Sequence, residues 1–564
     1  MSVICMSTIL FSCHSSKNTI GKQKKSIAYF DFFTYTGTDD FYNENPLSGS
    51  DYYFNPILPG WNSDPSICTN GEDYFLVTST FVYFPGVPIF HSKDLVNWKQ
   101  IGFVLNRESQ LVNMKGQHTS GGIFAPAISY NPHNQTYYMV TTNVGAGNFF
   151  VKTKDPFGSW SDPIYLPEVG GIDPSFFFDD NGKAYIVNND EPEGKPKYDG
   201  HRAIRIQEFN VENDSTFGPR KVLVDGGIHP EENPIWIEGP HMYKIDGQYF
   251  LMSAEGGTGP DHSEVILRSN TPMDGFVAWD KNPILTQRYL DANRPMPITC
   301  AGHADLVKTK EGDWWAVFLA CRPIDGEFEN LGRETFLMPV KWSDDGFPYL
   351  TQGDDVVPMI GQRKGVKRSQ ELTFGNFSKT DDFDSAELDL QWLTLRTSGI
   401  NLYSLNDNPG FLALKCDTIL ARDKATPAFV GRRMQHHKFV CATKMYFNPA
   451  NEDEKAGILL YKDESHQYFL AVQSTDTGRK ILLDKIDASG SNAESVKIIA
   501  SQNDPIGLKV ESTGKSYKFY YSIGDSNWEL LCDNIDARYL STANSYGFTG
   551  TVIGMYAEKN FIRK

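Results

Sequence analysis

The chain is short of positive charge. Its 564 residues carry 53 Lys and Arg against 70 Asp and Glu, for a formal charge of −17. Nucleic acids and anionic membrane surfaces are held by basic patches, so neither is an expected partner, and the acidity itself reads as solubility. Cysteine pairs at metal-ligand spacing are also missing. The eight cysteines are Cys5, Cys13, Cys68, Cys300, Cys321, Cys416, Cys441 and Cys532, with no CxxC among them. That removes support for a zinc site or a thioredoxin-like motif, and the six beyond Cys13 read as buried thiols. Long segments of helical period are absent too. Short aromatic or β-branched runs between turn signals take their place, with 13% aromatics, 48 Gly and 31 Pro. The chain therefore reads as all-β, and its length asks for two or more domains.

No apolar run is long enough to cross a bilayer. Val3 to Phe11 is too short. Leu10-Phe11-Ser12-Cys13 is similar to a bacterial lipoprotein box, although Met1-Ser2 supplies no basic n-region. Residues 1–25 are read as leader and tether. The expectation is export, to a periplasm or to a lipid anchor at Cys13, with a cytoplasmic location as the alternative.

What the chain does have is a repeat. An apolar segment with a polar head leads through a turn to an aromatic strand, five times. The heads and strand aromatics are Asp64 and Tyr74, Ala125 and Tyr137, Asp173 and Tyr185, Glu238 and Tyr249, and His303 and Trp314. Five units of this period predict a five-bladed β-propeller over 51–360. First strands of blades line the axis, so Asp64, Asp173 and Glu238 are expected to converge at one end of it. Residues 26–50 are read as a lead-in and the basic stretch 361–374 as a linker. Alternating strands over 375–564 are read as a β-sandwich.

Three carboxylates in one funnel suit glycosidic cleavage. One carboxyl protonates the departing oxygen, and another activates water or attacks the sugar. Burial and like-charge repulsion keep one of them protonated near neutral pH. Taken singly, each residue has a bland reading: Asp64 and Asp173 as turn residues, Glu238 as a strand end, His303 as a core histidine, Arg333 as a structural ion-pair partner.

With the segments Asn55 to Ser66, Phe84 to Ile89, His91 to Trp98, Glu238-Gly239-Pro240-His241, Ala301 to Val307 and Leu331 to Phe336, the chain resembles glycoside hydrolase family 43, the β-xylosidase and α-L-arabinofuranosidase group. The resemblance covers about 51–350 strongly and extends more weakly to a C-terminal sandwich of jelly-roll, concanavalin-like type. It implies an inverting, exo-acting enzyme that releases xylose from the non-reducing ends of β-1,4-xylo-oligosaccharides or arabinoxylan fragments. Asp64 matches the general base, Glu238 the general acid and Asp173 the carboxylate that tunes the acid. Arg333 and His303 match sugar-subsite residues, and Phe81 and Phe124 match pocket-wall aromatics. Several relatives have Trp where this chain has Phe124, which leaves the sugar open. No catalytic metal is expected, with a structural Ca2+ near His303 as the alternative. The sandwich is expected to close the pocket rim, with polysaccharide binding and structural support alone as the alternatives. Main α-L-arabinofuranosidase activity, a retaining mechanism and a non-catalytic glycan-binding propeller are the competing readings. Oligomeric state is left open.

Overall fold

The structure is a computed structural model that describes residue 20 and residues 23–499 and 503–560. The leader residues Val3 to Cys13 lie outside the described residues. Nearly all regular structure is antiparallel strand. No helix among the described residues is long and apolar enough to cross a membrane.

Five sheets follow one another along the chain. Their first strands are Ser66–Thr69, Ile123–Asn131, Ile172–Phe178, Glu238–Ile245 and Thr299–Lys308. Each first strand touches the next, and the fifth touches the first, so the sheets form a closed ring. The chain's two ends of this domain meet: Tyr52–Phe54 pairs with Ile360–Gln362, and Leu58 exchanges both backbone hydrogen bonds with Thr335 of the fifth sheet.

The first strands share a bulge. Ladder register slips between Phe124 and Ala127, Ile172 and Ser175, Glu238 and His241, and Gly302 and Asp305. The residue two before the resumed ladder has positive φ in every sheet: Asp64 at 54°, Ala125 at 26°, Asp173 at 53°, Gly239 at 56° and His303 at 51°. Proline follows four of these five residues and offers no N–H to the ladder, which is how a bulge tolerates it. One repeat position is thus turned out of each sheet at the same end of the ring. This corrects the alignment of the heads. Glu238 is not equivalent to Asp64 and Asp173; Gly239 is. Glu238 sits one residue earlier, where the other repeats have Ser63, Phe124, Ile172 and Gly302.

The second domain packs an eight-stranded sheet against a six-stranded one around a core that includes Phe30, Phe439, Leu470 and Phe519. The lead-in reading of 26–50 is overturned here. Ile27–Gly37 is an interior strand of the larger sheet, between Leu412–Lys415 and Lys438–Phe447. Ala28, Phe30, Phe33 and Tyr35 face its core. The stretch 361–374 is likewise packed rather than free. Arg363 is buried, lies 5.2 Å from the Trp315 ring and donates to the Asp94 carbonyl, and Phe374 is buried beside Phe54.

The domains share an apolar interface in which Trp61 and Tyr83 join Phe429, Tyr461 and Tyr556. A buried ion pair staples it. Arg396 donates to the carbonyls of Gln117 and Ala425 and pairs with Glu464, which also accepts from the Thr119 hydroxyl at 3.0 Å. Replacing Glu464 by Ala removes the counter-charge from the buried Arg396 guanidinium and leaves it only carbonyl acceptors. Breaking a buried pair in this way costs about 3–5 kcal/mol. We expect a clearly lower denaturation midpoint, and a wild-type midpoint would refute the staple.

Candidate active site

A cavity of about 410 Å3 opens at the end of the ring where the positive-φ residues lie. Its lining includes all seven residues singled out from the sequence: Asp64, Phe81, Phe124, Asp173, Glu238, His303 and Arg333. It also includes Ile235, Trp236 and Phe548.

Asp64 is fixed from three sides. The Ser79 hydroxyl donates to Oδ2 at 2.5 Å, the Arg333 guanidinium lies 3.3 Å from Oδ1, and His303 Nδ1 lies 3.9 Å from the same oxygen. Burial alone would raise the Asp64 carboxyl, but Arg333, His303 and Ser79 together hold it below the usual carboxylate range. Asp64 is therefore an anion. His303 is neutral at physiological pH, because burial takes its pKa down to about 4 against the pull of Asp64. Its ring lies against Gly239, where a Cβ would come within 2.8 Å of it, so the Glu238-Gly239 step needs glycine for both space and φ.

Asp173 and Glu238 have the opposite electrostatics. Burial and then the charge of Asp64 push Asp173 up to about 7, although it accepts the Gly239 N–H at 3.2 Å. Burial, then Asp173, push Glu238 well above the ordinary glutamate range, with Arg333 opposing. Glu238 is thus biased towards its protonated form and Asp64 towards its anion. Environments that drive two carboxyls apart are how an acid and a base are assigned in one site.

The floor under these residues is held by Asp305. It accepts the Ser66 hydroxyl at 2.7 Å, the Ile67 N–H at 2.9 Å and the Tyr243 hydroxyl at 2.7 Å, tying three sheets together at the axis. Glu264 accepts the Ala304 N–H at 3.0 Å and keeps the His303 bulge in place. A calcium ion takes six to eight oxygen ligands. Around His303 the side-chain oxygens belong to Asp64, Asp173, Ser66 and Ser175. The hydroxyls already donate to Asp305 and the Pro240 carbonyl, and Arg333 sets a fixed positive charge beside Asp64. The compact donor cluster among the described residues is elsewhere, at Cys300, Cys321 and Glu329.

The pocket wall is aromatic. Phe81, Phe124 and Phe548 contact one another with centroids 5.7–6.0 Å apart, and the Arg333 guanidinium lies 5.1 Å over the Phe548 ring. Phe548 comes from the second domain, so the sandwich closes the rim as expected. Its N–H donates to the Ser120 hydroxyl oxygen at 2.8 Å, and a Cβ on the preceding Gly547 would come within 2.4 Å of that oxygen. Sequence reasoning missed Phe548, Trp236, Ser79 and Glu264. Only Ser79 carried a local signal, as a neighbour of Phe81.

Comparison with known proteins agrees with this geometry. Residues 53–348 match the model of glycosyl hydrolases family 43, and 380–563 match the beta xylosidase C-terminal concanavalin A-like domain. A xylosidase/arabinosidase of Butyrivibrio fibrisolvens is 38% identical over 90% of this chain and 96% of its own. A non-reducing end alpha-L-arabinofuranosidase of Bacteroides ovatus is 37% identical over 90% of this chain and 91% of its own. Among solved structures, a GH43_12 retrieved from capybara gut metagenome superposes with a TM-score of 0.88 at 40% identity, covering 95% of this chain and all of that one. A closed ring of sheets, an ionised carboxylate facing a protonated one, and this likeness over nearly the whole chain lead to one assignment: the chain belongs to glycosyl hydrolase family 43 and is a glycoside hydrolase.

Proposed function

We propose that the protein is an inverting, exo-acting β-xylosidase that releases xylose from the non-reducing ends of β-1,4-xylo-oligosaccharides and accepts α-L-arabinofuranosides in the same pocket. The observation that carries this is the pairing of a low-pKa Asp64 with a high-pKa Glu238 in one cavity walled by Phe548. Glu238 donates its proton to the glycosidic oxygen as the bond breaks. Asp64 takes a proton from the water that attacks the anomeric carbon from the opposite face. Arg333 and Ser79 keep Asp64 ionised while it waits, and the charge then moves from Asp64 to Glu238 through the reaction. Asp173 raises the pKa of Glu238, and the phenyl wall packs on the apolar face of a pentose.

The relatives support the sugar. The Butyrivibrio relative is named a xylosidase/arabinosidase and the Bacteroides relative a non-reducing end alpha-L-arabinofuranosidase, which makes a main arabinofuranosidase activity the second reading. Specificity constants on nitrophenyl β-D-xylopyranoside and nitrophenyl α-L-arabinofuranoside decide the order. A constant much larger for the arabinofuranoside overturns ours. NMR of the first-formed anomer tests inversion, since a retained β-anomer from xylobiose excludes it. A non-catalytic binder would turn over neither substrate.

The pH dependence follows from the two carboxyls. The acid works only while protonated, so activity falls as pH rises through the elevated pKa of Glu238. The base works only while ionised, so activity falls as pH drops through the depressed pKa of Asp64. In Asp173→Asn the like charge next to Glu238 is gone. The alkaline limb of kcat/KM is then expected to move to lower pH by roughly one unit or more. An unmoved limb would remove the tuning role from Asp173.

A further inference from the structure

Two exposed apolar residues stand at the cavity immediately before the proton donor. Trp236 is 39% exposed and Ile235 is 40% exposed, and both line the cavity. Exposed aromatics at a pocket edge are how proteins meet ligands with an apolar face. Trp236 is also strained: its φ is 53°, a left-handed value that a bulky residue rarely adopts. Such strain persists only where the surroundings enforce it, and they do so here. The Trp236 N–H donates to the Gly200 carbonyl at 2.8 Å, and the Gly256 N–H donates to the Ile235 carbonyl at 2.9 Å. Gly200 is itself at φ 80°, and a Cβ there would come within 2.8 Å of Ile235. The Arg202 guanidinium covers the Trp236 ring at 5.2 Å and is in turn held by Asn189 Oδ1 and Glu191. Asn189 donates to the Ile237 carbonyl at 2.6 Å, one residue from Glu238. Trp236 is thus a rigid shelf clamped from two loops.

Its position gives it a ligand. Trp236 lies two residues before Glu238, so their Cα atoms are at most about 7 Å apart. Under the function proposed above, on which this inference rests, Glu238 addresses the glycosidic oxygen, and the departing group lies on its side of the bond. The cavity lining also includes the uncharged Ile172, Ile235, Gly257 and Thr258, and the Arg202 charge lies on the Trp236 ring. We infer that Trp236 and Ile235 form the subsite for the leaving sugar, stacking the C–H face of an uncharged pyranose, and that they make the enzyme prefer oligosaccharides to glycosides without a sugar leaving group.

The test compares Trp236→Ala and Trp236→Phe with wild type on xylotriose and on xylosyl fluoride, whose leaving group offers nothing to stack. In Trp236→Ala, kcat/KM for xylotriose is expected to fall at least about tenfold further than that for the fluoride, equivalent to about 1.4 kcal/mol. Most of that loss should lie in KM, and Trp236→Phe should recover part of it. Fluoride turnover also reports that each variant is folded. Equal losses on both substrates, or no loss on xylotriose, would overturn the shelf. A wild type that cleaves the fluoride but not xylotriose would do the same. A wild type that cleaves neither sinks the proposed function itself, and the shelf with it.

Discussion

Glu238→Gln should cleave xylobiose about a thousandfold more slowly than wild type, within the 10²–10⁴ that a general acid contributes. The substitution keeps the side chain's length and removes only the transferable proton. The leaving sugar hydroxyl is a poor leaving group and cannot depart as an alkoxide at useful rates. A dinitrophenolate departs without a proton, so on dinitrophenyl β-xyloside the loss should be far smaller. The ratio between the two losses is the diagnostic. It isolates proton donation from binding or folding, both of which would affect the two substrates alike. Equal losses would mean that Glu238 acts in some other way. The alkaline limb of the pH profile should also vanish on the activated substrate, because the group that produced it is gone.

Asp64→Asn should lose a similar factor, roughly 10²–10⁴, on both leaving groups. Water must be deprotonated whatever departs, so no activated substrate relieves the defect. Asn tolerates a left-handed backbone better than other residues do, so the 54° φ at this position is kept at little strain. Ser79 and Arg333 address different oxygens of Asp64, so the single amide oxygen of Asn keeps an acceptor for only one of them. The acidic limb of kcat/KM should disappear as well, since it reports the depressed Asp64 carboxyl. A variant retaining near-wild-type turnover would transfer the role of base elsewhere. An inverted leaving-group pattern, with the activated substrate spared, would exchange the roles of Asp64 and Glu238. The two variants together therefore assign acid and base without reliance on the relatives.

Much of this site was legible in the chain because the fold repeats. Asp64, Asp173 and His303 recur at similar offsets before a hairpin turn and an aromatic strand, and the Pro after Asp64, Ala125, Asp173 and Gly239 marks the same bulge. The repeat also misled by one residue. It placed Glu238 with Asp64 and Asp173, whereas the ladder register puts Gly239 there. The step has chemical weight: the two bulge carboxylates and the proton donor emerge from different positions, so the acid and base need not point the same way. The proline positions carry that step in the sequence, since Pro240 follows Gly239 and not Glu238, but the bulge that gives them meaning is a property of paired strands.

The unread parts share one character. Ile27–Gly37 reads as a lead-in because its partners, around residues 412–415 and 438–447, lie some 380 to 420 positions later. Phe548 enters the pocket from the far end of the chain, and Trp236 gains its meaning from Arg202 and Gly200 in another loop. By itself, the sequence determined the all-β class, the five-fold repeat, the sandwich that follows it and the carboxyls that face one another. Those depend on alternation and turn chemistry, which act over a few residues. Only the tertiary structure decided which domain the N-terminal strand completes, what closes the pocket, and which way the Asp64 and Glu238 carboxyls are shifted. The last of these is a matter of burial and of charges a few ångströms away. Arg333 next to Asp64, and Asp173 next to Glu238, are neighbours only after folding.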